Sequence, residues 1–136
     1  MLTYQTHIAK KGWGVWKVEN QLSNALDQNL DIQAIRINFT EPFHKIFYSV
    51  YCNEKEGWSQ EFSAGDMAGT TGQKKSITGI KIRLDEAGAK NFDVLYRVHT
   101  FDGNWTAWSK NGEELLSDGV KLNALQIKLA TKPARK

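Results

Sequence analysis

The chain has 136 residues, of which 40% are hydrophobic and 24% charged, and it contains only two prolines. This composition is that of an ordinary globular protein and excludes collagen-like, disordered and membrane-spanning classes. The formal net charge is +3, and the lysines are scattered instead of clustered, which argues against a nucleic-acid partner.

The predicted elements recur three times along the chain. The first copy reads LTYQTHI, GWGVW and IQAIRINF; the second reads IFYSVYC, GWSQEF and ITGIKIRL; the third reads VLYRVHT, NWTAW and LNALQIKL. The anchor tryptophans Trp13, Trp58 and Trp105 are 45 and 47 residues apart. Such a period predicts copies of one supersecondary unit that pack around a shared core.

The first and last segments of each copy alternate between apolar and polar residues, which predicts half-buried β-strands. In the first copy, Leu2, Tyr4 and Ile8 lie on the apolar face of the first segment. The opposite face carries His7, Tyr51 and His99 at equivalent places. In the last segments the phase of the alternation breaks near Ala34, Gly79 and Ala124, and we predict a bulge or bend there.

Turn and loop signals separate these strands. Asn20, Gly65 and Gly112 each follow an anchor tryptophan by seven residues and tolerate positive φ, so tight turns are predicted there. AGTTGQ in the second copy is predicted to be a loop. Gln21 to Leu30 is the only helix candidate, and we favour a loop or a short helical turn.

We predict one domain over residues 1–136, with repeats at about 1–40, 44–85 and 92–130 and a basic tail at 131–136. The polar connections at 40–45 and 85–93 are predicted to be turns. Three β units that cannot each close a core suggest pseudo-threefold symmetry. The predicted fold class is therefore all-β, with a β-prism-like domain of three repeats favoured and a β-trefoil as the alternative.

The repeated phrases resemble the clostridial hydrophobic-W (ChW) repeat. In that family a Tyr-x-x-His stretch precedes Gly-Trp-x-x-Trp, and a Leu-Glu-Ala-Ile strand ends the unit. The matching positions are Tyr4, His7, Gly12, Trp13, Trp16 and Ile32 to Ile35 in copy one, and Tyr96, His99, Trp105, Trp108 and Leu122 to Leu125 in copy three. Copy two keeps AGTTGQ but has Tyr51 in the histidine place and Glu61 in the second tryptophan place. The resemblance covers about residues 1–130 as three tandem repeats.

The resemblance implies a lectin-like architecture and a role in attachment to cell walls, glycans or other surface proteins. It also implies an extracellular or cell-surface location, although the first residues lack the apolar stretch of a signal peptide. No nucleophile elbow, phosphate loop or carboxylate pair recurs in the copies, so we predict no enzymatic activity and no cofactor. The three histidines and the lone Cys52 lack metal-type spacing, so no metal site is predicted.

Several residues are candidates for ligand contact. We expect the anchor tryptophans to be core residues, whereas Trp16 and Trp108 are better placed for the surface because three residues along a strand reverse the face. His7, Tyr51 and His99 are candidate hydrogen-bonding partners on an outward face. Planar polar side chains near the tryptophans suit sugar hydroxyls, and they are Asn20, Gln28, Asp66, Gln73 and Asn111. The alternative for this last group is a purely structural role as turn formers.

The sequence thus favours a non-catalytic carbohydrate or bacterial cell-wall binding module with up to three weak sites, of which those in copies one and three are the better. The predicted partner is a bacterial surface glycan or cell-wall polymer, without membrane insertion. The main alternative is a protein-interaction or assembly subunit of a bacterial surface or phage structure. A nucleic-acid binder and an enzyme are the remaining alternatives.

Overall fold

The computed structural model describes residues 1–132, and nearly all regular structure in this range is antiparallel β-strand. Six longer strands form three pairs: β1 (Leu2–Ile8) with β4 (Ile32–Phe39), β5 (Ile46–Tyr51) with β8 (Gly79–Leu84), and β9 (Phe92–Thr100) with β12 (Leu122–Thr131). Six two-residue strands extend the sheets: β2 (Gly12–Trp13), β3 (Lys17–Val18), β6 (Phe62–Ser63), β7 (Ala68–Gly69), β10 (Ser109–Lys110) and β11 (Leu115–Leu116). The prediction of an all-β domain is confirmed.

The three long pairs have the same register, and their apolar faces form one core. The paired residues at the centre are Tyr4 and Ile37, Tyr48 and Ile82, and Tyr96 and Ile127, all completely buried. Since residues directly opposite each other in a sheet share a face, the alternation in the sequence translates into one apolar side for each pair. The buried residues of all three pairs form a single hydrophobic cluster.

Residues 1–40, 44–85 and 92–130, hereafter the first, second and third units, each complete the sheet of the preceding unit. Strand β7 of the second unit pairs with β4 of the first, and β11 of the third pairs with β8 of the second. The first unit is joined in the same way to the third, because the Ser23 N–H donates to the Leu125 carbonyl at 2.9 Å and the Ser23 Oγ accepts from the Leu125 N–H at 2.7 Å. Over residues 1–132 the strands form three separate sheets and do not join into one closed barrel, which favours the prism-like prediction over the trefoil.

The predicted tight turns are present, and each is bonded to a neighbouring unit. Asn20, Gly65 and Gly112 have φ of 73°, 84° and 88°. Their N–H groups donate to the carbonyls of Ile127, Ile37 and Ile82 at 2.8, 2.9 and 2.7 Å. The turn residues therefore act as cross-links between units in addition to reversing the chain.

A buried tyrosine hydroxyl lies at each of these junctions. Tyr4, Tyr48 and Tyr96 donate to the carbonyls of Gln21, Asp66 and Glu113 in the turns of their own units. The Tyr4 hydroxyl also accepts from the Ile127 N–H at 3.3 Å, so it joins the first unit to the third. Burial of these rings, which outweighs the hydrogen bonds they accept, raises the pKa of each tyrosine to about 12.

The predicted bulges occur in two of the three units. The β1–β4 register shifts between His7 and Ile8, and the β9–β12 register shifts between Leu122 and Ala124, so Gln33 and Asn123 are the extra residues. In the second unit β8 begins at Gly79, and the preceding Thr78 bonds to the end of β5 from outside the strand. The segment from Gln21 to Leu30 is a loop, and the first two residues of AGTTGQ form β7.

The connection at 85–93 is not a simple turn, and this part of the prediction was wrong. It contains a short helix, α1 (Glu86–Asn91), whose first turn is capped by the Asp85 carboxylate accepting from the Gly88 N–H at 2.9 Å. A capping residue followed by helix-favouring Glu and Ala was the available signal, and Gly88 obscured it. No helix in the described range is long and apolar enough to cross a bilayer.

Removing the cap of α1 is expected to weaken the domain modestly. Asp85→Ala should lower the free energy of unfolding by about 1 kcal/mol, because one N–H of the first helical turn loses its acceptor. Asp85→Asn retains a side-chain acceptor and should stay close to the parent protein. Urea unfolding followed by circular dichroism measures both, and equal losses in the two variants would contradict a capping role.

The predicted basic tail is only partly described. Thr131 belongs to β12, where it pairs with Phe92, and the Nζ of Lys132 lies 3.5 Å from an Asp93 carboxylate oxygen. These two residues are therefore attached to the third sheet. The remaining predicted tail residues, at 133–136, lie outside the described residues.

Candidate functional site

The three anchor tryptophans lie on the outer faces of the sheets and not in the core. Trp13, Trp58 and Trp105 are half-buried. They pair directly with His7, Tyr51 and His99, and the ring centroids are 5.4, 5.5 and 5.2 Å apart. The prediction that they are core residues was wrong, because residues that pair across a sheet share its face and their partners are out of phase with the core tyrosines.

A cationic side chain covers each anchor indole. Arg36 lies 4.1 Å from the ring centroid of Trp13, and Lys81 lies 4.6 Å from that of Trp58. Both belong to the last strand of their unit. The ring area available to a ligand on these tryptophans is reduced accordingly, since a cation over an indole face occupies the surface that a sugar ring would use.

In the third unit the covering cation comes from the opposite strand. Arg97 of β9 lies 4.2 Å from the Trp105 centroid, and its Nε donates to Gln126 of β12 at 2.8 Å. In the first unit the same cross-strand pair is reversed, because Arg36 of β4 faces Gln5 of β1 at 3.4 Å. All three anchor indoles thus have a cation over the ring, but in the third unit it comes from the first long strand of the unit and in the other two units from the last.

The residue three positions after the anchor tryptophan has a different environment in each unit. Trp16 is 45% exposed. Trp108 is half-buried, with the Arg97 guanidinium 4.7 Å and the Lys128 ammonium 4.2 Å from its ring centroid. In the second unit Glu61 takes this place and accepts hydrogen bonds from Arg83 at 2.6 and 2.7 Å, while the neighbouring Phe62 packs against the core.

The two histidines that pair with anchor tryptophans, His7 and His99, are more buried than the alternation predicted. His99 is only 7% exposed, and its Nδ1 lies 2.8 Å from the Asn123 amide oxygen, so the expectation that it faces outward was wrong. The bulge at Asn123 explains this contact, because it moves a polar side chain of β12 next to the end of β9. His7 is half-buried, and within residues 1–132 its Nδ1 is buried without a hydrogen-bond partner.

Tyr51 has a different setting from the two histidines. It is half-buried against Trp58 and lines a cavity of about 490 Å³ between the second and third units, together with Thr78, Leu116 and Asp118. A cavity at a junction between repeated units is a common position for a small-ligand site. Tyr51 therefore keeps an accessible edge that buried His99 lacks.

The three ligand candidates in turns, Asn20, Asp66 and Asn111, form hydrogen bonds that hold the chain in place. The Asn111 side chain accepts from the Val94 N–H at 3.0 Å and donates to Asp93 at 2.7 Å. The Asp66 carboxylate accepts from the Ser63 N–H at 3.4 Å within its own turn. Asn20 bonds to the third unit through its backbone, and its side chain is exposed. Of the three, Asn20 has the side chain least engaged in holding a turn.

The two predicted glutamines lie in the loops that run to the preceding sheet. The Gln28 side chain accepts from the Lys11 Nζ at 3.0 Å, which places it near the start of the Trp13 strand. Gln73 is exposed in the loop after β7. The structure thus brings Gln28 near an anchor tryptophan, whereas the turn residues Asn20, Asp66 and Asn111 lie at the far ends of the short edge strands.

Sequence reasoning missed the cations that lie over the indoles. Arg36 and Lys81 immediately follow Ile35 and Ile80, so the alternation itself places them on the outer face of the sheet. The alternation therefore already indicates both cations, although the scattered lysines and arginines give no such indication by their overall distribution. Arg97 and Lys128 have no shared place with them in the repeat and are brought to Trp108 by strand pairing.

These features define an all-β protein of three similar sheets, each with an indole, a ring partner and a cation on its outer face. Residues 54–86 match the family model described as Clostridial hydrophobic W. The match begins before Trp58 and ends in α1, so it covers most of the second unit. No curated protein and no solved structure shows a significant match to the chain.

Proposed function

We propose that the protein is a non-catalytic carbohydrate-binding module that attaches to bacterial surface glycan or cell-wall polymer. The observation that carries the proposal is the exposed indole of Trp16, which offers 45% of its surface next to Val15, itself 70% exposed. An exposed ring of this kind is suited to stack on the apolar face of a pyranose, with nearby polar groups available for the hydroxyls. A location outside the cell or on its surface is part of the proposal.

The three similar sheets support multivalent attachment. Single sugar sites are weak, and affinity for a repetitive polymer rises when several sites bind at once. The first and third units keep a tryptophan where the second has Glu61 paired with Arg83. We therefore propose that the first and third units hold the better sites.

The proposal is tested with a glycan and peptidoglycan array. Trp16→Ala combined with Trp108→Ala should weaken binding by about tenfold or more, because the exposed ring of Trp16 and the ring that positions Arg97 and Lys128 are both removed. Phe43→Ala is the matched control: Phe43 is 94% exposed but lies in the connection between the first two units. Binding that is unchanged in the double variant would reject these sites.

A second candidate function is protein interaction within a surface or phage assembly. The observation that favours it is a group of five exposed apolar side chains in the first unit: Val15, Trp16, Val18, Leu22 and Leu26. Exposed apolar side chains concentrated in one part of a protein are also typical of protein interfaces. A stable higher oligomer or a captured protein partner, together with no binding on the array, would favour this function over glycan binding.

A further inference from the structure

The outer face of the third sheet carries two cations around one indole. Arg97 on β9 and Lys128 on β12 both approach the Trp108 ring, and Arg97 also covers Trp105. All four side chains are half-buried. Two like charges thus contact the same ring and are partly withdrawn from water, and an anion that reached both of them would offset their mutual repulsion.

These two charges have no acidic partner within residues 1–132. Neither Arg97 nor Lys128 forms an ion pair with a described carboxylate. Arg97 uses its Nε for Gln126, and in the same range its two terminal nitrogens have no hydrogen-bond partner. A guanidinium with free terminal N–H groups is a geometry that recognises carboxylate or phosphate.

The corresponding position of the second unit shows that a carboxylate can be bound there. Glu61 stands where Trp108 stands in the third unit, and Arg83 stands where Lys128 stands. The Glu61 carboxylate accepts two hydrogen bonds from Arg83, and this pairing lowers the pKa of the carboxyl group. Lys81, the other cation of this face, has the Glu114 carboxylate at 3.9 Å. Residues 1–132 thus supply anions to the cations of the second sheet but not to Arg97 and Lys128 of the third.

We propose that the third sheet binds the carboxylate or phosphate group of an anionic surface glycan at Arg97 and Lys128, with the sugar beside Trp108 and not stacked on the ring faces that the cations cover. The inference rests on the proposed function and adds the class of sugar. In the second sheet Glu61 occupies the corresponding place and excludes an external anion. In the first sheet Asn38 replaces the lysine, so Trp16 serves a neutral sugar.

The test is a titration of the full chain with glycan probes, in which tryptophan fluorescence reports binding. The carboxylate probe is oligogalacturonate, and its neutral counterpart is the fully methyl-esterified oligomer. The phosphate probe is phosphomannan, and its neutral counterpart is the dephosphorylated mannan. At least one anionic probe should bind about tenfold more tightly than its neutral counterpart, and the preference should fall as salt is added. A carboxylate glycan and a phosphate glycan are distinguished by which probe binds.

Two variants and a control locate the site. Lys128→Gln should remove most of the preference for the anionic probe, and Trp108→Glu should abolish it by providing the internal carboxylate that Glu61 provides in the second unit. Lys121→Gln makes the same change in net charge at an exposed loop residue and should leave the preference intact. The reverse variant, Glu61→Gln, frees Arg83 and should increase the number of anionic sites bound.

Several results would overturn the inference. Equal affinity of both anionic probes and their neutral counterparts would remove the anion preference while leaving glycan binding in place. An equal loss in Lys121→Gln and Lys128→Gln would show non-specific attraction by net charge. Binding of polyglutamate as tight as that of oligogalacturonate, lost in Lys128→Gln, would place an anion site here but contradict a glycan ligand, and the proposed function with it.

Discussion

Raising the pH from 10 to 12 is expected to unfold the protein, because the folded structure keeps three tyrosines neutral. Tyr4, Tyr48 and Tyr96 are completely buried, and desolvation raises the pKa of each from 10.0 to about 12. The unfolded chain ionises first, so the stability that these groups contribute is complete below pH 10 and is lost as the pH rises through 12.

The magnitude makes this the largest effect that we predict. A shift of two pKa units corresponds to about 3 kcal/mol for each tyrosine. Three such groups together are comparable with the whole stability of an ordinary domain, about 5–15 kcal/mol. Circular dichroism and tyrosinate absorbance, recorded together over this pH range, should change in one cooperative step.

Tyr96→Phe separates this cause from general alkaline damage. At neutral pH the variant should be less stable by about 1–3 kcal/mol, because the Glu113 carbonyl loses its partner in the core. At alkaline pH it has one fewer group to ionise, so its loss of stability between pH 10 and 12 should be smaller. An alkaline loss as large as that of the parent protein would contradict the explanation.

Gly69→Ala is expected to destabilise the protein by about 3 kcal/mol or more, the second large effect. Gly69 lies in β7, where the second unit pairs with Ala34 of the first, and its φ is 99°. A Cβ at this position would lie 2.9 Å from the Ala34 Cα and still closer to the Gln33 carbonyl oxygen. Both are backbone atoms of a buried strand, so relief requires separating two units.

Gly72→Ala, in the loop that follows β7, is the matched control. Its φ of 73° is also in the left-handed region, but a Cβ there meets nothing within 4 Å. It should therefore cost only the conformational strain, about 1 kcal/mol. Denaturant unfolding of both variants measures the difference, and equal losses would mean that close packing between the units does not limit this position.

Most of the core could be predicted because the relevant signal is local. The alternation around Tyr4, Tyr48 and Tyr96 has a period of two, and any strand with that period has one apolar face regardless of its partner. The positive φ at Asn20, Gly65 and Gly112 was likewise readable from residue type. The helix at Glu86–Asn91 was missed because a six-residue segment containing a glycine gives too weak a local signal.

The candidate site was predicted less well because it depends on cross-strand neighbours. Trp13, Trp58 and Trp105 have the size and recurrence of core residues, but their partners across the sheet place them outside. Burial of His99 depends on a bulge and on Asn123, 24 residues away. The cation over the anchor ring comes from the last strand in the first two units, where the aligned Arg36 and Lys81 could have indicated it. In the third unit it comes from the opposite strand, which the alignment of the repeats does not show.

The sequence by itself determined that the chain forms β-strands, that a tryptophan-centred phrase recurs three times, and which alternating aliphatic and tyrosine side chains lie in the core. Those properties follow from residue type and short-range periodicity, which constrain the backbone whatever else the chain contacts. Only the tertiary structure decided that each unit completes its neighbour's sheet, and that Arg97 and Lys128 meet at Trp108. These contacts join residues far apart in the chain, and their energies depend on which strands lie opposite each other.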